Sequence, residues 1–289
     1  MDNKYLVTVI TVCFNAEKDI VKTMESVLNQ DFTNFEYIIK DAASKDRTLE
    51  YIEEYKGKFE EKGIPVRVYS EKDEGIYDGM NIALKHALGR WINFMNAGDC
   101  FYAKTTLSEI FGENKYPNAA IIYGDAVEYE YGHYYKFRKN INAIEERMPF
   151  SHQSAFVNRE LINRYPFNTS LKIGADYDFM LSMYKKGFHF QDTGKIVCIV
   201  SKDGVSSVNV YDTYAEAVKI KKSHGAKVPS EKNMKWQLLD KRVRQFVTDH
   251  FPVFIKKKIR QVQWVIRKQN AELTIPEWEL NSHKNAVTK

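Results

Sequence analysis

Thiol chemistry is nearly absent from this chain. Its three cysteines, Cys13, Cys100 and Cys198, are far apart and odd in number, which excludes a disulfide framework and fits a reducing compartment. Cys13 and Cys198 each lie in an apolar run, so both read as inert core thiols. Long apolar stretches are missing too, and none approaches the ~18 residues that a membrane span needs. The amino terminus has no basic segment followed by an apolar core, so no secretory signal is expected. No internal repeat or low-complexity segment is present, which excludes repeat arrays and compositional disorder. With 44% hydrophobic and 28% charged residues the chain is expected to be globular. Its 289 residues suit one large domain, or one domain with an appendage.

Acidic residues become scarce in one region. Between positions 213 and 268, 15 Lys and Arg stand against 4 Asp and Glu, whereas the rest of the chain carries 28 against 34. A mildly acidic body argues against a nucleic-acid-binding core, and a basic tail suits an anionic surface. Within the tail, Trp236, Leu239, Val243, Phe246 and Val247 recur at helical spacing among Lys235, Lys241, Arg242 and Arg244. Residues 251–266 then mix apolar positions with Lys256, Lys257, Lys258 and Arg260. Basic amphipathic helices of this kind lie on anionic lipid; the alternative is a charged helix pair packed on the body.

The body is organised around residues 69–102. Glu71, Asp73, Glu74 and Asp78 surround Gly75 and Gly79, two residues able to take positive φ. Met80, Ala83, Leu84, Ala87 and Leu88 follow at helical spacing, with Gly89 as the expected helix C-cap. A short strand from Trp91 to Met95 stops at Asn96-Ala97-Gly98-Asp99. Upstream, Tyr5 to Val12 reads as a strand buried on both faces. Ile20, Met24, Val27 and Leu28 form a helical stripe that Asn15 or Asp19 could cap. A strand is expected at Phe35–Ile39. A helix over residues 49–59 would be capped by Ser44 or Asp46, and a third strand covers 66–69. This alternation predicts an α/β fold with a mainly parallel central sheet flanked by helices. Downstream, strands are expected at 119–123, 126–131 and 134–138, with a turn at Gly132-His133. A helix follows at Tyr177–Lys186, closed by Gly187, and then a strand at 191–201. The first strands all end in polar loops, at Asn15, at Asp41, and at Glu71 with Asp73. With Asp99 these would line one rim, where open α/β sheets bind ligands.

Seven segments, in order, resemble glycosyltransferase family 2, the inverting GT-A enzymes, and most closely the colanic-acid and amylovoran exopolysaccharide branch. They are Val9–Asn15, Asp41–Thr48, Ser70–Asn81, Asn96–Asp99, Ser151-His152-Gln153, Ala175-Asp176-Tyr177-Asp178 and Gly204-Val205-Ser206. The resemblance covers residues 5 to 210 and departs from the family pattern at two places. The Asp-x-Asp metal motif is reduced to Asp99 alone, and the turn after Asp41 carries Ala42, Ala43 and Arg47 where glycines are usual.

The resemblance implies a GT-A catalytic domain over residues 1–211, and the charge and spacing of the tail set apart a basic helical extension over 212–289. It implies a UDP- or GDP-sugar donor and a glycan or lipid-linked acceptor in cell-surface polysaccharide biosynthesis. Together with the reducing compartment, the acidic body and the basic tail, the lipid-linked acceptors typical of the family lead to the expectation of a cytoplasmic enzyme, peripheral at the inner face of the membrane, with no nucleic-acid partner. Asp99, a hard oxygen ligand, is implied to bind Mn²⁺ or Mg²⁺ together with the donor phosphates. Asn15, Asp41, Asp73 and Asp78 are implied to line the nucleotide pocket, with a plain helix cap left open for Asp78. Asp176 is implied to be the base that takes the acceptor proton, its pKa raised by burial. A helix-cap role stays open for it, and Asp178 is the second choice of base. His152 and Gln153 are implied to contact acceptor or diphosphate, although a lone His among apolar residues is often structural. Two rivals remain. A sugar-nucleotide pyrophosphorylase would need a Gly-rich basic loop where Cys13-Phe14-Asn15-Ala16-Glu17 stands. A non-catalytic nucleotide-sugar-binding module is left open by the single metal carboxylate.

Overall fold

A computed structural model describes residues 3–113, 116–130, 133–137, 139–201, 209–252 and 258. The amino-terminal half alternates as its apolar runs predict: β1 (Tyr5–Cys13), α1 (Ile20–Leu28), β2 (Phe35–Asp41), α2 (Thr48–Glu61), β3 (Val66–Ser70), α3 (Ile76–Leu84) and β4 (Gly89–Phe94). β1 pairs in parallel with β2 and β4, and β2 with β3. The second half is mixed. It contains β5 (Cys100–Phe101), α4 (Thr106–Phe111), β6 (Ile121–Glu130), β7 (His133–Phe137), β8 (Ala155–Asn158), α5 (Arg159–Arg164), α6 (Ala175–Lys185) and β9 (Phe190–Ser201). β8 runs antiparallel between β4 and β6, β9 is parallel to β6, and β5 is antiparallel to β9. The result is one nine-stranded sheet in the order β3-β2-β1-β4-β8-β6-β9-β5, with β7 paired to β6. Helices α7 (Val210–Ser223) and α8 (Glu231–His250) follow.

Both faces of the sheet are covered, because successive residues of a strand point to opposite sides. Val7 and Val9 of β1 pack with Met24, Val27, Ile52 and Phe59 of α1 and α2. Ile10 and Val12 pack instead with Met80 and Leu84 of α3 and with Met180 and Met183 of α6. Fully buried side chains such as Met24 and Phe59 are each worth about 1.5–3 kcal/mol. Phe59→Ala would cost about 3–5 kcal/mol through the cavity it leaves. All three cysteines are free and buried. Among the described residues no helix is long and apolar enough to cross a membrane.

Several local expectations are corrected. α3 ends at Leu84, and Gly89 is the first residue of β4 rather than a helix cap. The glycine there serves close approach: a Cβ on Gly89 would sit 2.5 Å from the backbone nitrogen of Thr8. Gly75 takes a φ of 131°, but Gly79 lies inside α3. The strands expected at 119–123 and 126–131 are one strand, β6, whose register with β9 shifts between Tyr123 and Ala126. α6 starts at Ala175, two residues earlier than expected, and Gly187 closes it with a φ of 78°. Gly132, Asp203–Ser206 and most of 251–266 lie outside the described residues.

Candidate active site

Parallel register brings the carboxyl ends of β1, β2 and β3 level, with Cys13 beside Asp41 and Asp41 beside Ser70. The polar loops that follow therefore gather on one rim. Asn15 sits in the left-handed region (φ 47°), which asparagine tolerates, and its Oδ1 accepts from the Lys45 N–H at 2.9 Å rather than capping α1. Asp41 is completely buried. Its carboxylate accepts from the Ser44 hydroxyl, from the Ser44 N–H at 3.0 Å and from the Ser70 hydroxyl at 2.7 Å. Asp46, not Ser44, serves the start of α2, accepting from the Thr48 N–H at 3.0 Å. Asp73 accepts from Lys40 at 3.1 Å and from the Gly75 N–H at 3.1 Å. Asp78, in the first turn of α3, reaches back to the Glu74 N–H at 3.0 Å, so it holds the entry to its own helix.

The other end of the rim is built from β4, the 3-10 turn His152–Ser154 and the start of α6. Asn93, inside β4, donates to the carbonyls of Gln153 and Ala155, each at 2.9 Å, and so fixes that turn against the sheet. Gln153 donates to Asp99 Oδ2 at 2.7 Å, and the Ser201 N–H donates to Oδ1 at 3.3 Å. Burial pushes the Asp99 carboxyl up to about 6, with the Gln153 amide and nearby His152 pulling the other way. His152 links Asp176 to the Asn96–Asp99 turn. Its Nδ1 lies 3.0 Å from Asp176 Oδ2, and its Nε2 lies 3.2 Å from the Asn96 amide nitrogen.

Asp176 occupies the first turn of α6, after Gly174 as the N-cap residue. Its Oδ1 accepts from the Tyr177 N–H at 2.8 Å and lies 3.1 Å from the Tyr77 hydroxyl, which also contacts the carbonyl of Ile173. Burial alone would raise this carboxyl. The His152 contact, the Tyr177 N–H and the Tyr77 hydroxyl outweigh it, so Asp176 is held below the ordinary carboxylate value. The expected upward shift is thus reversed: the group is a standing carboxylate, not an acid tuned upward.

The structure brings Asp99, His152, Gln153 and Asp176 together, and Tyr77 joins them. Asp178 is not with them: it bonds the His224 Nε2 at 2.7 Å, beyond α7. Sequence reasoning missed Tyr77, Lys40 and Glu216. Lys40 is fully buried and donates to the carbonyls of Asp41 (3.0 Å) and Glu71 (2.6 Å) besides Asp73. The alternation Glu36, Ile38, Lys40 along one face of a buried strand was the available signal. Glu216 carried none, because its partners lie more than 40 residues away in the chain.

No group of three or more His, Cys, Asp or Glu suited to a metal occurs among the described residues. Two hard oxygen donors do belong to the Asn96–Asp99 turn. The Asp99 carboxylate keeps lone pairs beyond those used by Gln153 and Ser201, and the buried Asn96 Oδ1 has no hydrogen-bond partner.

Known proteins resemble this chain in sequence and in fold. The profile described as "Glycosyl transferase family 2" matches residues 8–179. A Mycobacterium tuberculosis "PGL/p-HBAD biosynthesis glycosyltransferase" is 24% identical over 181 residues, 61% of this chain and 69% of that protein. An Escherichia coli UDP-Glc:alpha-D-GlcNAc-diphosphoundecaprenol beta-1,3-glucosyltransferase is 29% identical over 192 residues, 63% of this chain and 70% of its own. Among solved structures, Staphylococcus aureus TarS 1-349 in complex with UDP superposes with a TM-score of 0.59 at 20% identity, covering 84% of this chain and 72% of that one. The mannosyltransferase PcManGT from Pyrobaculum calidifontis, in complex with GDP-Man and Mn²⁺, gives 0.60 at 20% identity over 79% and 67%. The fold is therefore GT-A, and with the profile running from Thr8 within β1 through β8 to Phe179 in α6, the chain belongs to glycosyltransferase family 2 and is a glycosyltransferase.

Proposed function

We propose that the enzyme transfers a sugar, with inversion, from a UDP- or GDP-sugar to a hydroxyl of a glycan or lipid-linked acceptor in cell-surface polysaccharide biosynthesis. One observation carries the reading: Asp176 is a half-buried carboxylate, its side chain 17% exposed, kept ionised between His152 and Tyr77 on the same rim as Asp99. In the reaction the acceptor hydroxyl gives its proton to Asp176 and its oxygen bonds the anomeric carbon. The bond from that carbon to the diphosphate breaks, and the nucleoside diphosphate leaves. Being ionised at neutral pH, Asp176 is always available, at the cost of lower basicity. His152 and Tyr77 hold its lone pairs in place, so orientation does not have to be found at the moment of reaction.

Asn96 and Asp99 would hold a divalent cation, Mn²⁺ or Mg²⁺, whose chemistry there is to offset charge on the leaving diphosphate. The nucleoside end is assigned to Asn15, Asp41, Asp73 and Asp78. A base N–H reaches Asp41 only where the Ser44 hydroxyl yields its place, since the carboxylate is covered. The donor and acceptor classes draw support from the UDP and GDP-Man bound to the structural neighbours and from the diphosphoundecaprenol substrate of the E. coli relative. On α8, Trp236, Leu239, Val243 and Phe246 are exposed, beside Lys235 and Arg242. That face would rest on an anionic membrane surface, placing the enzyme at the cytoplasmic side where lipid-linked acceptors are built.

The test is nucleoside diphosphate release from a panel of UDP- and GDP-sugars, with Asp176→Asn beside wild type. Loss of a general base lowers kcat by about 10²–10⁴-fold, with nucleotide Kd little changed. Turnover by Asp176→Asn near the wild-type rate would remove Asp176 from this role.

A further inference from the structure

The turn that leads into α6 ends at the N-cap Gly174, whose N–H is one of the backbone groups left without a partner at a helix start, and it is held by a residue from outside the family-matched region. The Glu216 carboxylate, on α7, accepts from the N–H groups of Lys172 (2.8 Å), Ile173 (2.9 Å) and Gly174 (2.8 Å). Three charge-assisted bonds to consecutive backbone groups fix the turn's position and orientation together. The same face of α7 carries Ile220, one turn on and 1% exposed. A Cβ on Gly174 would lie 2.8 Å from Ile220 Cδ1, so α7 and the turn are in backbone-to-side-chain contact. One turn further, His224 closes on Asp178 at 2.7 Å.

These contacts converge behind one functional group. Asp176 follows the clamped turn by two residues. The carbonyl of Ile173, within that turn, contacts the Tyr77 hydroxyl, which in turn lies against Asp176 Oδ1. Displacing the turn therefore moves Asp176 along its helix and also withdraws the hydroxyl that orients it.

We propose that Glu216 is a positioning residue for the transfer reaction, and that α7, although it follows the matched region, is a working part of the active site. Glu216 touches neither Asp176 nor any substrate-facing group; it acts through the 172–174 turn. The proposal rests on the reading of Asp176 as the base.

The experiment uses the full chain and the donor that wild type turns over fastest, with water as acceptor. Glu216→Ala, Glu216→Gln, Asp176→Asn and the double variant Asp176→Asn/Glu216→Ala are compared. Each is assayed for kcat, donor KM, nucleoside diphosphate Kd and melting temperature, with kcat referred to the fraction that binds nucleotide. A misplacement on the scale of 1 Å costs about 10²-fold. Glu216→Ala is therefore expected to lower kcat by about 10- to 100-fold with KM and Kd within about twofold. Glu216→Gln keeps one oxygen for Ile173 and Gly174 and should recover a substantial part of the rate. In the Asp176→Asn background, Glu216→Ala should add almost nothing, because both changes act on one group. If Glu216→Ala melts early yet keeps wild-type kcat, or if its loss multiplies fully with that of Asp176→Asn, the positioning role is refuted. If Glu216→Ala does not fold, the kcat of Glu216→Gln and its non-additivity with Asp176→Asn decide the matter. A wild-type rate in Asp176→Asn alone instead removes the base assignment, an outcome separate from the other two.

Discussion

Replacing Lys40 with methionine isolates the contribution of one buried ammonium group. The side chain is fully buried, its partner Asp73 is 10% exposed, and two backbone carbonyls complete its contacts. Lys40→Met keeps the stem in the sheet and deletes only the charge: Asp73 loses its counter-ion and the Glu71 carbonyl its ammonium donor, while the Asp41 carbonyl keeps the Glu71 N–H at 3.1 Å. Breaking a buried pair from one side costs about 3–5 kcal/mol. Asp73 retains the Gly75 N–H, so the lower end applies, about 3 kcal/mol. At ~2–4 °C per kcal/mol for 150–250 residues, the melting temperature should fall by roughly 6–12 °C. Adding Asp73→Asn removes the stranded charge and should return about half of the loss, since the two residues form one unit. Nucleotide affinity should behave differently. Lys40 ties the end of β2 to the loop before α3, so UDP or GDP binding should weaken by at least about tenfold in both variants. Paired urea denaturation and calorimetric titration read both effects. A Lys40→Met protein within about 1 kcal/mol of wild type, binding nucleotide normally, would sink the argument.

Asp99→Asn should remove the divalent-cation dependence of UDP binding while leaving the fold intact; Mn²⁺-stimulated binding in that variant would show the ligand to be elsewhere. For Asp176 the pH dependence has a definite sign. Its carboxyl is held below the ordinary value, so its ionised form stabilises the fold above about pH 3.9, and that stabilisation fades as pH falls through the folded-state value. The stability deficit of Asp176→Asn should thus be present at pH 7 and shrink on acidification below about 3.9, whereas a deficit constant with pH would contradict the clamp. On α8, Trp236→Ser with Phe246→Ser should abolish sedimentation with phosphatidylglycerol vesicles, and wild-type binding should weaken with salt. Unchanged sedimentation would leave the exposed face without a lipid role.

What could be read from the sequence divides along the range of the interactions. The apolar runs of β1 and β2 and the stripes of α1 and α3 announce a layered α/β sheet, because periodicity is a local property. Placing ligands at the strand ends follows from the same pattern and led to Asp41, Asp73 and Asp99. Gly89 was misread because a glycine after a helical stripe looks like a cap, and only the approach of Thr8 from a distant strand shows why it is a strand residue. Asp176 and Asp178 are two residues apart on a helix, so their divergence was legible, but their partners His152 and His224 were not. The sign of the Asp176 shift failed for the same reason: burial can be guessed from neighbours, whereas a histidine 24 residues upstream and a tyrosine on α3 cannot. The partners of Lys40 are equally remote, since Glu71 and Asp73 lie more than 30 residues on in the chain.

The buried thiols have a practical consequence. Desolvation raises all three, Cys100 to about 12 and Cys13 and Cys198 likewise upward, so none offers a thiolate to a maleimide at neutral pH. A single cysteine introduced on the outer face of α8 would then be the one site modified, with no need to strip the native residues from the core first. An environment-sensitive dye there would report burial depth against a vesicle, and a spin label there would report its distance from a paramagnetic nucleotide analogue, both in an otherwise unaltered chain.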